Sequence, residues 1–487
     1  MADTSTTDGR HGAQARARKY IDSGQFFDEL SRRVAVRSES QLLPASLPRL
    51  HQYLDEQIAP AFEAMGFECR KFDNPLPDQG PVLLATRIED PALPTVLGYG
   101  HGDVIRGLDE QWSKGKGPWI VSQDGERLYG RGTADNKGQH TLNMAALAAV
   151  MAERGGKLGF NAKFMIETGE EAGSKGLMQL VQANKDAFAA DVLIGSDGPR
   201  VTPSRATMAL GCRGARNFDL VCDLRSGGHH SGNWGGLLAN PGLILAHALA
   251  TIVSPEGRLQ IKEWLPPPIS NSVREALADI DIDPGEGGPK IDEWWGEKGL
   301  TAAEKVFASN AFNVLAYSTG NPGRPVNAVP PKAVAHCQLR YVAGTDIDAV
   351  LPALRCHLDA AGFASVRIAP PPESNDGGFG ASRTDPEHPW AIWCRRSIEA
   401  TTGEKPAVVT STGGSICNDV FTEALGIATI WIPHSYAACS QHAPDEHLLM
   451  PVARSAIELM AGLYWDLGEP GTPHRGPRSD ASGSAIC

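Results

Sequence analysis

The sequence predicts an α/β fold in which a mostly parallel sheet carries helices on both faces and is interrupted by an inserted α+β domain. Two observations lead to this prediction. Short apolar runs alternate with longer helical segments in the first 200 residues and again near the C-terminus, whereas the middle of the chain contains runs of alternating apolar and polar residues. Buried parallel strands are continuously apolar, and half-buried antiparallel strands alternate.

The elements of the first domain follow in chain order. Short apolar runs predict strands over Pro81–Ile88, Thr95–Gly100, Ala162–Glu167, Val192–Gly195 and Ala428–Ile432. Longer segments predict helices over Ser23–Val36, Leu47–Met65, Lys137–Arg154, Ser174–Asn184 and Pro389–Thr402. Strands interleaved with helices of this length are typical of a parallel sheet that is covered on both sides.

The inserted domain is indicated by the alternating runs Arg216–Leu224 and Ala333–Val342. We expect the first domain to span residues 19–206 and 376–467, with the inserted domain at 207–375. Residues 1–18 are polar and residues 468–487 are rich in Gly, Pro and Ser, so both ends are expected to be flexible tails.

Composition excludes several classes of protein. The chain has 45 basic and 57 acidic residues and a formal net charge of −12, which argues against nucleic acid or an anionic membrane as a partner. No apolar run is long enough to span a membrane, and the N-terminus lacks the apolar core of a signal peptide. The cysteines number 9 and are scattered without a C-x-x-C, which favours reduced thiols and a cytoplasmic location.

Polar residues follow the predicted strands at their carboxyl ends, where open α/β sheets bind ligands. The residues are His101 and Asp103 after the second strand, Glu170 and Glu171 after the third, Asp197 after the fourth, His442 after the fifth, and Asp135 before the helix at Lys137. Two imidazoles and three carboxylates can hold two divalent ions if one carboxylate bridges them. A further carboxylate beside the ions would then be free to act as a general base.

Each group also has an ordinary structural interpretation when it is taken alone. Asp135 could cap the following helix, the glutamate pair could lie in the first turn of a helix, and Asp197 could be a turn residue. His434 and His447 compete with His442 as the histidine of the last strand. These interpretations do not explain why all the groups occur together at strand ends.

Several longer motifs resemble the M20 metallopeptidases, and the nearest subgroup is the carnosinase-like, cytosolic non-specific dipeptidases. The resemblance runs from about residue 25 to about residue 467 and rests on GYGHGDV, LYGRGTADNKG, IETGEEAGSKGL, SDG, HHSGNWGG, GRPVNAVPPKA and SQHAPDEHL. It implies two divalent metal ions per chain, with Zn²⁺ first and Mn²⁺ or Co²⁺ as alternatives. It also implies the following roles: His101 and Asp197 on one ion, Glu171 and His442 on the other, Asp135 bridging, Glu170 as general base, and Asp103 orienting His101.

The resemblance further implies that the inserted domain is a lid and a homodimerisation unit. Within this lid, His230 would stabilise the oxyanion, either in its own chain or in the partner subunit, and Arg340 would bind a substrate carboxylate. Asn327, Gly414 and Ser415 would contact the substrate. Two departures from the family pattern concern these residues, because the adjacent His229 makes the choice of His230 ambiguous and Asn327 replaces a usual hydroxyl residue.

Three functional hypotheses follow. The first is a two-metal hydrolase that cleaves an amide bond in a dipeptide-like substrate with a free carboxylate, using a water that is activated by Glu170. The second is an N-acyl amino acid deacylase or amidase that uses the same residues. Asp197, where the carboxypeptidases and deacetylases of the family tend to have Glu, favours the first. The third, an inactive relative with a binding role, is disfavoured because the ligand set and the base are complete.

Overall fold

The computed structural model describes residues 4–282, 289–372 and 379–474. Helices in these segments are α1 (Thr4–Asp22), α2 (Gln25–Ala35), α3 (Leu47–Gln52), α4 (Ala59–Ala64), α5 (Lys137–Glu153), α6 (Leu177–Ala183), α7 (Lys185–Phe188), α8 (Ser231–Trp234), α9 (Pro241–Ile252), α10 (Asn271–Leu277), α11 (Ala302–Phe307), α12 (Ile347–Ala360), α13 (Pro389–Thr402) and α14 (Met450–Leu467).

Strands in the same segments are β1 (Glu68–Phe72), β2 (Val82–Arg87), β3 (Thr95–His101), β4 (Ser122–Asp124), β5 (Arg127–Tyr129), β6 (Asn161–Glu167), β7 (Val192–Gly195), β8 (Pro199–Arg200), β9 (Thr207–Ala209), β10 (Gly211–Cys212), β11 (Gly214–Asp223), β12 (His229–His230), β13 (Ala311–Thr319), β14 (Ala328–Val329), β15 (Lys332–Tyr341), β16 (Val366–Ala369), β17 (Ser382–Arg383), β18 (Ala407–Val409), β19 (Ala428–Trp431), β20 (Ser435–Tyr436) and β21 (His447–Leu449).

The large sheet has the strand order β1-β2-β6-β3-β7-β19-β9-β18. Its central strands β6, β3, β7 and β19 are parallel, and antiparallel pairs occur towards the edges. One face packs against α1, α2, α5, α13 and α14, and the other face against α6 and α10. The central strands are therefore buried on both faces, which explains their continuous apolar sequence and confirms the predicted fold class.

The inserted domain is an antiparallel sheet of order β13-β15-β11-β16, with α9 and α12 packed against it around Trp264. Burial alternates residue by residue along β15, as the sequence pattern predicted. Strands β10 and β17, on either side of this sheet in the chain, pair with each other, and α10, which lies between them in the chain, packs against the large sheet. Strand β9, at the boundary expected near residue 207, belongs to the large sheet; the second expected boundary, at residues 375 and 376, lies outside the described residues.

Residues 4–18 belong to helix α1, so the expectation of a flexible tail over residues 1–18 is wrong for this described part of it. Helix α1 buries Ala13, Ala17 and Ile21 in the core it shares with α5 and α14. Arg10 pairs with Asp466 of α14 at 2.8 Å. Ala13, Ala17 and Ile21 are spaced by four residues in an otherwise polar segment, and this helical spacing could have predicted α1. At the other end, residues 475–487 lie outside the described residues.

The predicted helix over Leu47–Met65 is present as α3 and α4 joined by a π-helical segment, Tyr53–Ile58. The first turn predicted for the helix at Ser174 is absent, because α6 begins at Leu177. No helix in the described part of the chain has the length and apolar character needed to cross a bilayer. The cysteines of the described segments are all free thiols.

Candidate metal centre and active site

Parallel strands bring the predicted metal ligands to one edge of the large sheet. His101 is the last residue of β3 and lies opposite Glu167, the last residue of β6. Glu170 and Glu171 form a short 3₁₀ turn just after β6, and Asp197 follows β7 by two residues. The carboxyl ends of neighbouring parallel strands meet, so residues that follow these strands converge.

Asp135 lies at the centre of the cluster, in the loop before α5. Its Oδ1 is 2.9 Å from Nε2 of His101, and its Oδ2 is 3.1 Å from Nε2 of His442. The two oxygens of one carboxylate therefore face two different histidines, which is the arrangement that a bridging carboxylate requires.

Each histidine has a further carboxylate beside it. Oε2 of Glu171 is 2.9 Å from Nε2 of His442, and Oδ2 of Asp197 is 3.9 Å from Nε2 of His101. Ligand atoms of His101, Asp135 and Glu171 all lie within 4.8 Å of one another. The five side chains thus form two groups, one around each histidine, and Asp135 belongs to both.

Asp103 contacts both the histidine and the glutamate turn. Its backbone carbonyl oxygen lies 3.0 Å from Nδ1 of His101, and its carboxylate Oδ1 lies 3.5 Å from the same nitrogen. The carboxylate also accepts the backbone N–H groups of Glu170 at 3.2 Å and Glu171 at 3.0 Å. Its main contact is thus with the turn that carries the general base expected from the sequence, while its backbone orients the imidazole.

Burial and mutual repulsion shift the pKa values of the acidic side chains upward. Burial, followed by the charges of neighbouring carboxylates, raises the pKa of Glu171 to about 7 and that of Asp197 to about 6. The pKa of Glu170 is raised well above its usual range, mainly by burial. Asp135 differs, because its contacts with His101 and His442 outweigh burial and lower its pKa.

The donor set fits divalent metal ions. Imidazole nitrogens and carboxylate oxygens are ligands that Zn²⁺, Mn²⁺ and Co²⁺ accept. Two cations would compensate the buried negative charges that otherwise repel one another. The ion identity is not specified by these residue types.

Glu446 supports the Asp135 loop and was missed by the sequence analysis. Its carboxylate is buried and accepts the backbone N–H groups of Gly132, Ala134 and Asp135 at about 3.0 Å, together with Nη1 of Arg131 at 2.8 Å. The only sequence signal was its place in the SQHAPDEHL motif, because these contacts join residues more than 300 positions apart.

The loop that carries His442 has a strained backbone. Ser440, His442 and Asp445 all have positive φ values near 60°, a conformation that non-glycine residues rarely adopt. The Asp445 carboxylate tethers the loop by accepting backbone N–H groups of Ser113 at 2.8 Å and Lys114 at 2.7 Å. This anchoring holds His442 beside Asp135 although its side chain is 55% exposed.

The competing histidines lie elsewhere. His434 is fully buried and contacts Ser196 and Asn143, and His447 contacts the Tyr436 hydroxyl. Within the described residues, neither ring forms a hydrogen bond or ion pair with Asp135 or Glu171, whereas His442 contacts both.

The lid residues expected at the site form a separate group. His229 and His230 form β12 opposite Val329 and Ala328, and the N–H of Ser231 donates to the carbonyl oxygen of Asn327 at 2.9 Å. His230 and Asn327 are therefore neighbours, and both are exposed. In the described segments of the single chain, neither makes a hydrogen bond to the metal-ligand cluster.

Arg340 and Ser415 meet where the lid adjoins the large sheet. Nη1 of Arg340 donates to Oγ of Ser415 at 2.9 Å, and Nε donates to Gln338 of the same strand at 3.0 Å. The carbonyl of Gly414, next to Ser415, accepts the Thr412 hydroxyl at 2.8 Å. Three of the four expected substrate residues thus come together at this junction, and Asn327 does not join them.

Comparison with known proteins agrees with this geometry. The family model described as peptidase family M20/M25/M40 matches residues 97–466. The chain is similar to the Beta-Ala-His dipeptidase of Homo sapiens, with 25% identity over 93% of this chain and 92% of that protein. It is also similar to the Cysteinylglycine-S-conjugate dipeptidase of Corynebacterium striatum, with 25% identity over 80% of this chain and 84% of that protein.

Among solved structures, the dipeptidase Dug1p from Saccharomyces cerevisiae superimposes with a TM-score of 0.74, at 20% identity over 94% of this chain and 99% of that one. At this identity the superposition establishes the fold. The family match and the dipeptidase relatives together identify the chain as a metal-dependent hydrolase. It belongs to peptidase family M20/M25/M40.

Proposed function

We propose that the protein is a two-metal hydrolase that cleaves the amide bond of a dipeptide-like substrate with a free carboxylate. The observation that carries this proposal is the position of Asp135, whose two carboxylate oxygens each face a different histidine. His101 and Asp197 would hold one ion, Glu171 and His442 the other, and Asp135 would bridge them. Zn²⁺ is the first choice, with Mn²⁺ or Co²⁺ as alternatives.

Glu170 is proposed as the general base. Bound divalent ions supply Lewis acidity that lowers the pKa of a water and stabilises negative charge on the substrate carbonyl oxygen. The Glu170 carboxylate takes a proton from the attacking water and later delivers it to the leaving amine nitrogen. Burial raises the pKa of Glu170, and carboxylates with perturbed pKa values are typical of catalytic acids and bases. The Asp103 carboxylate holds Glu170 in place by accepting the backbone N–H of Glu170.

Substrate recognition is proposed to use the junction of the lid and the large sheet. Arg340 would bind the substrate carboxylate with its guanidinium group, Ser415 and Gly414 would contact the substrate backbone, and His230 with its neighbour Asn327 would approach from the lid. The relatives named for Beta-Ala-His and cysteinylglycine conjugates support a dipeptide as the substrate. The alternative, an N-acyl amino acid deacylase or amidase, would use the same catalytic residues.

The test is a substrate panel on metal-loaded protein, with Glu170→Gln as the variant. The panel compares β-alanyl-histidine and cysteinylglycine with N-acetyl amino acids. We expect dipeptide turnover by the wild type, and a loss of about 10²–10⁴-fold in kcat for the variant while two ions per chain are retained. Turnover of N-acetyl amino acids alone would exclude the dipeptidase, and an unchanged kcat in the variant would exclude Glu170 as the base.

We also propose a homodimer formed through the lid. Apolar side chains of α9 and β13 are exposed there, and Tyr317 joins the two elements by donating to the carbonyl of Gly242. We call these side chains the lid patch: Leu243, Val314, Leu315 and Tyr317. Exposed apolar patches of this kind mark association surfaces. The free thiols of the described cysteines support a cytoplasmic location.

A further inference from the structure

Arg213 lies where the chain passes from the large sheet into the lid, between β10 and β11. Its side chain is buried, with 7% exposure. Nη1 donates to the carbonyl oxygen of Val306 at 2.9 Å, but Nε and Nη2 are buried and have no hydrogen-bond partner among the residues that the structure describes. Unpaired buried guanidinium nitrogens cost free energy, so two of them in one side chain indicate that a partner is missing.

The strand register brings Arg213 close to Arg340. Ala215 of β11 lies directly opposite Arg340 of β15, and Arg213 precedes Ala215 by two residues. Residues two apart in an extended chain point to the same side, so Arg213 is a diagonal neighbour of Arg340, at a distance that long side chains can bridge. Ser415 links the two residues, because its hydroxyl accepts from Arg340 and donates to the carbonyl of Arg213 at 2.7 Å.

The two guanidinium groups form a positive pair. In the described segments, neither guanidinium group forms an ion pair with a carboxylate; the partners of Arg213 and Arg340 are a backbone carbonyl, an amide oxygen and a hydroxyl. Burial and then the charge of Arg340 lower the pKa of Arg213 to about 10. Two neighbouring cations in a partly desolvated site repel each other, and an anion from outside the chain would relieve this repulsion.

We propose that Arg213 is a second carboxylate-binding residue, so that the substrate carboxylate lies between the guanidinium groups of Arg213 and Arg340. This inference rests on the proposed function and extends its substrate-binding site. A carboxylate has about four lone-pair positions and can accept from both groups at once, with Nε and Nη2 of Arg213 as the free pair of donors. The ligand class is a peptide or amino acid derivative with a free α-carboxylate, and a C-terminal amide is rejected.

The experiment measures binding without turnover, in metal-loaded Glu170→Gln protein. Isothermal titration compares β-alanyl-histidine with its C-terminal amide, before and after a further Arg213→Gln substitution. We expect the parent to prefer the acid, and Arg213→Gln to weaken binding of the acid by about tenfold or more while binding of the amide changes little. Arg213→Lys, which keeps the charge and loses the paired donors, should recover part of the preference.

Arg200→Gln is the matched control. Arg200 is also buried, with one unpaired guanidinium nitrogen, but its bonds go to Pro203, Pro433 and Ser455, away from Arg340. It should change binding of the acid and the amide alike. Thermal unfolding of each variant measures any general loss of stability. If Arg213→Gln does not fold, binding of the acid and the amide is compared in Arg213→Lys instead.

Two results would overturn the proposal. One is an equal loss of acid and amide binding in the Arg213 variants, which would make Arg213 a structural hinge residue. The other is a parent protein that binds acid and amide equally. Failure of the proposed function would give a different result. If the wild-type protein hydrolyses no dipeptide but still prefers the acid in an Arg213-dependent way, the dipeptidase function is contradicted and the carboxylate site is supported.

Discussion

The metal centre and the lid differ in how complete they are within one chain. The ligands around Asp135 are buried in the large sheet and already lie at contact distances, with His442 as the exposed exception. His230 and Asn327 are exposed on the lid and make no hydrogen bond to that cluster in the described segments. The fold of one chain therefore brings the proposed metal ligands together, whereas the proposed oxyanion group would reach them only after lid closure or from a second subunit.

The largest effect is expected from Asp135→Ala. Asp135 faces both histidines, so its loss should remove the bridge between the two ligand groups and reduce kcat/KM by about 10³-fold or more. Metal analysis should show fewer than two ions per chain. Asp191→Ala is the control, because Asp191 accepts the N–H of Thr95 at the opposite end of β3 and should leave the metal content unchanged. Two tightly bound ions in the Asp135 variant would contradict the bridging role.

His230→Ala tests the lid side of the comparison. Loss of one group that stabilises an oxyanion costs about 10²–10³-fold in kcat. Metal content should stay at the wild-type level, because His230 makes no contact with the cluster. His229→Ala is the matched control and should have little effect; the reverse pattern would move the role to His229.

Mixing His230→Ala protein with Glu170→Gln protein then asks whether His230 acts across the dimer. In a symmetric dimer, exchange of subunits would restore one intact site in each mixed dimer, and activity should return to about a quarter of the wild-type level. No recovery after demonstrated subunit exchange would place His230 in the active site of its own chain. A Leu315→Glu change in the lid patch should prevent this recovery by blocking association.

Removal of the metal ions by a chelator should destabilise the large sheet around the metal centre more than the lid. The buried carboxylates repel one another without cations, so each of the two proposed ions, at a free concentration of 100 times its dissociation constant, should add about 3 kcal/mol to the free energy of unfolding, which is about 5 kcal/mol for both. Hydrogen exchange should show lower protection in β3, β6 and β7 after chelation, with β11 and β15 of the lid unchanged. A uniform loss of protection would mean that the two domains unfold as one unit.

The smallest expected effect is that of Glu446→Gln. Gln keeps one oxygen acceptor and loses the ion pair with Arg131, so the loop before Asp135 should loosen and metal affinity should fall by about tenfold. Competition with a chelator measures this change. Glu89→Gln is the control, because Glu89 also accepts backbone N–H groups, from Leu158 and Gly159, and contacts Arg87. Its own N–H donates to Asn161, the first residue of β6, so it lies at the end of that strand opposite to the proposed metal ligands. An equal loss of affinity in both variants would exclude a local role for Glu446.

The sequence predicted the central strands closely because they are buried on both faces and continuously apolar. Strand Val192–Gly195 and helix Pro389–Thr402 have the predicted bounds. The residues proposed as metal ligands were selected because most of them follow predicted strands. The contacts of Glu446 and Arg213 could not be predicted in this way, since they depend on segments that meet only in the folded chain. Helix α1 was missed because its buried residues are small and the segment around them is polar.

The place of β19 in the large sheet has a consequence for biosynthesis. This strand lies between β7 and β9, yet it follows β9 by more than 200 residues. At about 5–20 residues per second, a ribosome needs roughly 10–40 s to deliver it. During that time β7 has an unpaired, apolar edge that is open to aggregation and to chaperones. The strands of the lid sheet are all synthesised before β19, so the lid of the nascent chain can fold before the large sheet is complete.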